Sequence, residues 1–153
     1  MNMKQILFVC LGNICRSPIA EGVAKKLVKE HRLDCIIDSA GTSAWHKGEP
    51  PCDNSIKVAE KNGIDISKQT SRPVTSEDCR KFDYVIAMDA QNQKDLESKG
   101  FQNVYLLGEF GGYSGRDVPD PYYFQGFEGF EKVYRMIETS LKDFINKVKN
   151  ESI

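Results

Sequence analysis

Residues 6–18 read ILFVCLGNICRSP, an apolar run that ends in a cysteine, with an arginine and a serine after five further residues. The four apolar residues before Cys10 suit a buried strand. Pro18 stands where a proline is favoured in the first turn of a helix. After it, apolar residues recur at helical spacing, at Ala20, Val23, Ala24, Leu27 and Val28. The segment is therefore predicted to turn from strand to helix, with backbone N–H groups converging on one anion-sized space.

The residue types in this turn suit nucleophilic attack on a phosphate-like anion. Only the thiolate of Cys10 would be a nucleophile, and a helix N-terminus, backbone N–H groups and a nearby positive charge all stabilise it. Arg16 offers a planar fork that holds two phosphoryl oxygens at once. Gly12 and Asn13 are residue types that accept a positive φ in a tight loop. Ser17 adds a hydroxyl that can donate to the sulfur when it leaves.

Two other interpretations of these cysteines are possible. Cys10 and Cys15 could be buried core thiols, or they could form half of a zinc site. A zinc site usually needs three or four ligands in paired spacings, and no second Cys/His pair follows. We therefore predict no metal and no other cofactor.

The remaining pattern alternates strands with helices. Strands are predicted at residues 6–9, 35–38, 84–88 and 104–107, and helices at 17–31, 53–62, 90–99, from 75 and from 127. Residues 39–51 and 108–126 are predicted loops. Unbroken apolar strands between helices predict a parallel sheet covered on both faces, in one domain spanning residues 1–153. Such sheets bind ligands at the carboxyl ends of their strands, where Cys10 lies.

Residues 9–18 resemble the signature of the low-molecular-weight protein tyrosine phosphatases. Residues 120–123, DPYY, resemble that family's general-acid loop, and residues 38–43, Trp45 and residues 82–89 resemble further family segments in the right order. The similarity covers essentially the whole chain. It implies a three-layer α/β/α fold of the phosphatase I type, with a four-stranded parallel sheet in the order 2-1-3-4. It also implies a metal-independent protein tyrosine phosphatase.

Asp120 is the predicted general acid, because the oxygen that leaves an aryl phosphate needs a proton. Pro121 restricts the backbone of Asp120 to extended conformations. Asp117 is the competing carboxylate, but Arg116 and Val118 flank it, so we predict that it is solvated.

Three aromatic residues are predicted to form the walls of the substrate cleft, because flat apolar side chains suit a phenyl ring: Trp45, Tyr122 and Tyr123. The resemblance places Trp45 at the cleft rim and implies that Asn13 and Ser39 hold the phosphate loop by hydrogen bonds. His31 and His46 are predicted to be surface residues. The predicted phosphate-binding and loop-support residues are Leu11, Gly12, Asn13, Ile14, Cys15, Ser17 and Ser39.

The five cysteines are scattered and odd in number, which is typical of reduced thiols in the cytosol. Cys15 shares a tight loop with Cys10. Peroxide is therefore predicted to drive a Cys10–Cys15 disulfide, with Cys15 as the redox partner.

The composition and charge limit which partners and which cellular location we expect. A net charge of −1 gives no general attraction to nucleic acid or to an anionic membrane. The apolar run near the N-terminus is too short to span a membrane and lacks a signal-peptide cleavage pattern. We expect a cytoplasmic monomer that acts on phosphotyrosine proteins or small aryl phosphates.

Two alternatives remain. An arsenate reductase on the same scaffold would use the same loop but would need two further cysteines close together. Cys79 stands alone in the corresponding region, and Cys35 and Cys52 are poorly spaced for a relay. A non-enzymatic phosphotyrosine-binding module would need no acid, so Asp120 argues against it.

Overall fold

The computed structural model describes residues 3–153, and the first two residues of the predicted domain lie outside it. Its strands are β1 (Lys4–Cys10), β2 (Cys35–Gly41), β3 (Tyr84–Ala87) and β4 (Val104–Leu106). Its helices are α1 (Arg16–Glu30), α2 (Asp53–Lys61), α3 (Asp78–Lys81), α4 (Ala90–Ser98) and α5 (Glu128–Lys149). Short 3₁₀ turns at Leu107–Glu109 and Pro121–Tyr123 lie within the long segment before α5.

The sheet is parallel with the order β2-β1-β3-β4, which confirms the predicted order. The prediction for β2 was too short, because residues 39–41 were assigned to a loop and are strand. Each residue of β1 pairs with one of β2, up to Cys10 opposite Gly41. A Cβ on Gly41 would lie 2.8 Å from the carbonyl oxygen of Leu11. Gly41, which was predicted to lie in a loop, is therefore needed as a glycine because β2 comes close to the turn after β1.

Two separate cores cover the faces of the sheet and make three layers. Ile6 and Phe8 of β1 pack with residues of α1, α2 and α5, whereas Leu7 and Val9 pack on the other face with Leu96 of α4. Because both faces of β1 are covered, polar residues cannot alternate with apolar ones along the strand, and its sequence is one apolar run. Among residues 3–153, none of the helices has the length and apolar content that crossing a bilayer requires.

The loop after β4 folds back on itself before it reaches the sheet again. A Cβ on Gly108 would lie 1.8 Å from the carbonyl oxygen of Arg116, so no other residue fits there without a backbone shift. Gly115 N–H donates to the Gly108 carbonyl at 2.8 Å and closes this 108–116 loop. Val118 N–H then donates to the Met88 carbonyl at 2.8 Å. This bond fixes the following segment at the carboxyl end of β3.

Candidate active site

The loop predicted to bind phosphate, residues 10–17 and called the phosphate loop from here on, connects the end of β1 to the start of α1. Cys10 is 3% exposed and lies at the floor of a cavity of about 210 Å³. Of the two residues predicted to accept a positive φ, Asn13 has one, at 57°, and Gly12 does not. At Gly12 a Cβ would lie 2.9 Å from the ring of His46, so a larger residue would push that side chain aside.

Buried side chains hold this loop from beneath. Ser17 Oγ lies 3.1 Å from Cys10 Sγ, and Asn13 Nδ2 donates to Ser17 Oγ at 2.8 Å and to Ser39 Oγ at 2.9 Å. Ser39 Oγ donates in turn to Glu21 Oε1 at 2.6 Å. Because Ser17 Oγ accepts from Asn13, its own proton is available to the sulfur. The network is thus oriented to stabilise a thiolate at Cys10.

Backbone groups of the loop are held from a second segment. Ser71 Oγ donates to the Gly12 carbonyl at 2.9 Å, and Arg72 N–H donates to Asn13 Oδ1 at 3.0 Å. These bonds satisfy polar groups that the tight turn cannot pair within itself.

An ion-pair cluster fixes Arg72 in this position. Its guanidinium donates to Asp38 Oδ2 at 3.0 Å and to Asp78 Oδ2 at 2.9 Å. Burial alone would lower the pKa of Arg72, but the hydrogen bond to Asp78 and the charge of Asp38 outweigh it and raise the pKa. Burial would likewise raise the pKa of Asp78, but the hydrogen bond from Arg72 outweighs it and lowers the pKa. Both groups are therefore held in their charged forms.

Arg16 is 7% exposed and is oriented by two acceptors. Its Nη1 donates to Asp89 Oδ2 at 2.7 Å and to the Val118 carbonyl at 2.9 Å. Burial alone would lower the pKa of Arg16, but the charges of Cys10 and Asp89 outweigh it and raise the pKa. Of the three guanidinium nitrogens of Arg16, Nη1 is the only one that bonds to a partner within residues 3–153. The remaining N–H groups are available to an anion above Cys10.

Asp120 is half-buried at the start of the 3₁₀ turn, and its Oδ1 accepts from Tyr122 N–H at 2.9 Å. Asp117 is exposed as predicted, but it also has a structural contact that the sequence did not indicate. Its Oδ1 accepts from Ala90 N–H at 2.9 Å, at the first residue of α4. Asp117 therefore binds the N-terminus of α4, while Asp120 lines the cavity above Cys10.

The cavity above Cys10 brings together most of the residues that the sequence singled out. Tyr123 is not among its lining residues and is 84% exposed, whereas Tyr122 lines the cavity. His46 is at the surface as predicted, with 39% of its side chain exposed, and it also lines the cavity and bonds through Nδ1 to Glu49. The lining residues are Cys10, Leu11, Gly12, Ile14, Cys15, Arg16, Trp45, His46, Asp120 and Tyr122.

A larger cavity, of about 720 Å³, lies on the other side of α1. Lysines of α1 and residues 63–72 line it, and Cys10, Arg16 and Asp120 do not. Cavity volume therefore does not indicate where the reactive groups lie. No three His, Cys, Asp or Glu side chains within residues 3–153 are grouped as metal ligands would be.

The cysteines differ from the expectation of five reduced thiols. Cys15 and Cys52 form a disulfide, with their Cα atoms 5.4 Å apart, while Cys10, Cys35 and Cys79 are free. The two partners are 37 residues apart in sequence, so spacing alone does not reveal the pair. They meet because Cys52 N–H donates to the Ile14 carbonyl at 2.7 Å. The formation of a Cys10–Cys15 disulfide under peroxide is not tested by this structure and stays a prediction.

Three residues of the site were missed from the sequence. Asp89 follows β3, the neighbour of β1, so the predicted strand order already placed it at the same edge as Cys10, and this signal was not used. Glu21 lies one helical turn beyond Ser17, and a carboxylate on the buried face of α1 was the available signal. His46 had no signal, because its loop gives no periodicity to interpret.

Comparison with known proteins gives one family throughout. The sequence model described as "Low molecular weight phosphotyrosine protein phosphatase" matches residues 5–153. The low molecular weight protein-tyrosine-phosphatase YfkJ of Bacillus subtilis is 38% identical over 156 residues, which cover 97% of this chain and 98% of that protein. The low molecular weight phosphotyrosine protein phosphatase of Sus scrofa is 38% identical over 154 residues, which cover 95% and 96%. A crystal structure of a protein tyrosine phosphatase from Entamoeba histolytica with Hepes in the active site has a TM-score of 0.90 at 37% identity, covering 98% and 99%.

Proposed function

Because the chain belongs to the low-molecular-weight phosphotyrosine protein phosphatase family, we propose that it hydrolyses aryl phosphate monoesters through a cysteinyl-phosphate intermediate. Its substrates are phosphotyrosine proteins or small aryl phosphates. The observation that carries the proposal is that Cys10, Arg16 and Asp120 all line a single small cavity.

In the first half-reaction, the thiolate of Cys10 attacks phosphorus and the bond to the aryl oxygen breaks. Arg16 and the backbone N–H groups of the phosphate loop hold the equatorial phosphoryl oxygens as negative charge builds up on them. Asp120 gives its proton to the aryl oxygen, which leaves as a phenol. Asp89 acts through Arg16, because its Oδ2 accepts from Arg16 Nη1 at 2.7 Å and so fixes the orientation of the guanidinium.

In the second half-reaction, Asp120 takes a proton from a water molecule that attacks the cysteinyl-phosphate. The P–S bond breaks, and the thiolate of Cys10 is released with inorganic phosphate. Ser17 Oγ, 3.1 Å from the sulfur, donates to the leaving thiolate. Microscopic reversibility makes the acid of the first step the base of the second.

The preference for aryl phosphates follows from the depth and walls of the cavity. Cys10 is 3% exposed, so the phosphoryl group must descend below the rim to reach it. Trp45 and Tyr122 line the cavity and offer flat apolar faces to a ring. A cavity of about 210 Å³ is small for a ligand site and suits one ring with its phosphate.

The setting is part of the same proposal. A chain with net charge −1 has no general attraction for nucleic acid or an anionic membrane surface. We infer a cytoplasmic monomer whose partners are its phosphorylated substrates, and the reaction as written needs no metal.

Arsenate reduction is the second candidate, and the disulfide is the observation that favours it. The argument from the sequence left Cys52 without a partner, but Cys52 is bonded to Cys15 beside the nucleophile. In this reaction Cys10 would bind arsenate, Cys15 would displace arsenite as two electrons pass to arsenic, and Cys52 would then release Cys10.

The deciding experiment compares the two reactions in the reduced protein. We expect turnover of a phosphotyrosine peptide and of p-nitrophenyl phosphate in the presence of a chelator. We expect no arsenite from arsenate with a dithiol reductant. Arsenate reduction without aryl phosphate turnover would overturn the phosphatase proposal in favour of the alternative.

A further inference from the structure

Three cysteines meet at the active site, and the phosphatase mechanism uses only one of them. Cys10 is free at the cavity floor, and Cys15 lines the same cavity from the other end of the phosphate loop. Cys52 lies behind that loop and is bonded to Cys15. We propose that Cys52 is a second resolving cysteine, which moves an oxidising equivalent from Cys10 to the Cys15–Cys52 pair and so restores the nucleophile. The proposal rests on Cys10 being the reactive thiol of the proposed function.

Hydrogen bonds hold the backbone around Cys52 against the phosphate loop. Its N–H donates to the Ile14 carbonyl at 2.7 Å, and Ser55 Oγ donates to the Cys15 carbonyl at 3.1 Å. These bonds hold the start of α2 against the phosphate loop. The Cα separation of 5.4 Å between Cys15 and Cys52 lies within the usual range for a disulfide. Each of the two also stands directly before the first residue of a helix, where the positive end of the helix favours a thiolate.

The bonded pair coexists with an assembled active site. With Cys15 and Cys52 joined, Cys10 Sγ remains 3.1 Å from Ser17 Oγ, and the Asn13 amide still donates to that hydroxyl at 2.8 Å. A Cys10–Cys15 bond, in contrast, would occupy the sulfur that must attack phosphorus. The two disulfides therefore have opposite consequences for activity.

The chemistry balances in four steps. A peroxide oxidises the Cys10 thiolate to a sulfenic acid, and the O–O bond breaks to give an alcohol or water. The Cys15 thiolate then attacks the Cys10 sulfur, so that an S–S bond forms and water leaves. The Cys52 thiolate attacks the Cys15 sulfur and expels Cys10 as a thiolate. A dithiol reductant finally reduces the Cys15–Cys52 bond and takes up the oxidising equivalent.

The third step, in which Cys52 attacks Cys15, favours release of Cys10, because the better stabilised thiolate is the better leaving group. Ser17 Oγ lies 3.1 Å from Cys10 Sγ, and Arg16 lines the same cavity, so a hydrogen-bond donor and a positive charge lie close to Cys10 as it leaves. Attack by Cys52 on Cys15 therefore ends with the disulfide on the pair seen in the structure. In a reducing compartment, a disulfide of this kind is transient and either catalytic or redox-sensing.

The test follows recovery after oxidation in the absence of any thiol. Wild-type protein, Cys52→Ser, Cys52→Ala and Cys35→Ser are reduced, freed of reductant and treated with one equivalent of hydrogen peroxide. Cys35 is the matched control, because it pairs with Lys4 at the far end of β1, about 20 Å from Cys10. Burial and the charge of Asp34 also raise the pKa of the Cys35 thiol, which makes it a poor nucleophile.

We expect the wild-type protein and Cys35→Ser to lose activity and then to regain most of it without added thiol. Non-reducing peptide mapping should show a Cys10–Cys15 bond at first and a Cys15–Cys52 bond later. Both Cys52 variants should keep the Cys10–Cys15 bond and stay inactive, at least about 10-fold below the recovered wild-type protein, until a dithiol is added. Recovery of the Cys52 variants at the wild-type rate, or an inactive wild-type protein that carries the Cys15–Cys52 bond, would overturn the relay.

Two measurements separate failure of the relay from failure of the proposed function. Aryl phosphatase activity of each reduced variant is measured first, and both Cys52 variants should match the wild-type protein. The peptide mapping reads the disulfides without reference to activity. If the reduced wild-type protein does not turn over aryl phosphates, the phosphatase proposal fails while the mapping still decides the relay.

Discussion

The phosphate loop at residues 10–17 and the acid loop at residues 118–124 border the same cavity but are held in opposite ways. Asn13, Ser17 and Ser39 beneath the first are at most 4% exposed and joined by hydrogen bonds. In the predicted acid loop, the bonds of Asp120 to the rest of residues 3–153 lie within its own turn, and Tyr122 is 66% exposed. Under the proposed mechanism, the charge-binding half is therefore held in place by buried hydrogen bonds. The proton-donating half is held at Val118 and is more exposed beyond it. Substitutions in the two halves should therefore fail in different ways.

Replacing the nucleophile should give the largest effect. Cys10→Ser should lower kcat by about 10⁴-fold or more, because a serine hydroxyl at this position has no base to activate it. The variant should still bind orthovanadate, since Arg16 and the loop N–H groups remain. Stopped assays on phosphotyrosine peptide and calorimetric titration with vanadate check the two halves of this expectation. Substantial turnover by the pure variant would remove Cys10 from the mechanism.

The acid loop should fail in a way that depends on the leaving group. Asp120→Asn should slow hydrolysis of a phosphotyrosine peptide by roughly 10²–10⁴-fold, the usual scale for lost acid catalysis. The loss should shrink for aryl phosphates whose leaving group departs without a proton, which a series of substituted phenyl phosphates measures.

Asp117→Asn is the matched control, because Asp117 binds the N–H of Ala90 and not the cavity. It should leave the leaving-group dependence unchanged. Equal losses for all leaving groups in Asp120→Asn, or a larger loss in Asp117→Asn, would show that Asp120 is not the general acid.

A substitution beneath the phosphate loop should reduce activity and stability together. Asn13→Ala removes the amide that bonds to Ser17 and Ser39, and we expect a loss of about 1–3 kcal/mol in unfolding free energy with a fall in kcat. Trp45→Ala, on the cavity rim and 78% exposed, should raise KM several-fold and leave the urea midpoint unchanged. Urea unfolding and steady-state kinetics on both variants test the contrast. A fall in stability for Trp45→Ala with none for Asn13→Ala would reverse it.

The last expected effect is a dependence of stability on pH, at the ion pairs that hold Arg72 against the phosphate loop. The folded-state pKa of Asp78 is below its ordinary value of 3.8, so its ionised form stabilises the fold above that value. This contribution is lost as the pH falls through the folded-state pKa. Asp78→Asn should cost about 1–3 kcal/mol at pH 7, and its difference from the wild-type protein should narrow below pH 3.8.

Asp34→Asn serves as the control for this series, because Asp34 is exposed. Urea unfolding between pH 2.5 and 7 should show no comparable change with pH for this variant, on the order of 0.5 kcal/mol at most. A constant difference between Asp78→Asn and the wild-type protein across that range would mean that the charge of Asp78 does not stabilise the fold.

What the sequence could predict was largely local. The apolar run before Cys10 and the helical spacing after Pro18 specify the turn between them, so the central strand, the phosphate loop and α1 were predicted from residues 6–31. Among the residues that depend on distant contacts, Ser39 was predicted only through the family resemblance, and Asp89 was missed. Asp89 reaches Arg16 only because β3 lies beside β1.

The same reason explains two of the errors of detail. Residues 39–41 look like a loop, and pairing with β1 makes them strand. Cys52 meets Cys15 only because the chain after β2 returns to the phosphate loop. The strand order itself came from the family resemblance, because nothing in an isolated strand states its neighbour.

The closed 108–116 loop has a consequence for how this protein can change during evolution. Since Gly115 bonds back to Gly108, and Val118 is fixed separately to Met88, the exposed tip at Ser114 can change in length without moving Asp120. Doubling a flexible loop costs only about 0.6 kcal/mol of closure entropy. New residues inserted at Ser114 would stand outside the catalytic geometry. This tip is therefore the place where a lineage can acquire a segment that captures a new protein partner while the chemistry stays as it is.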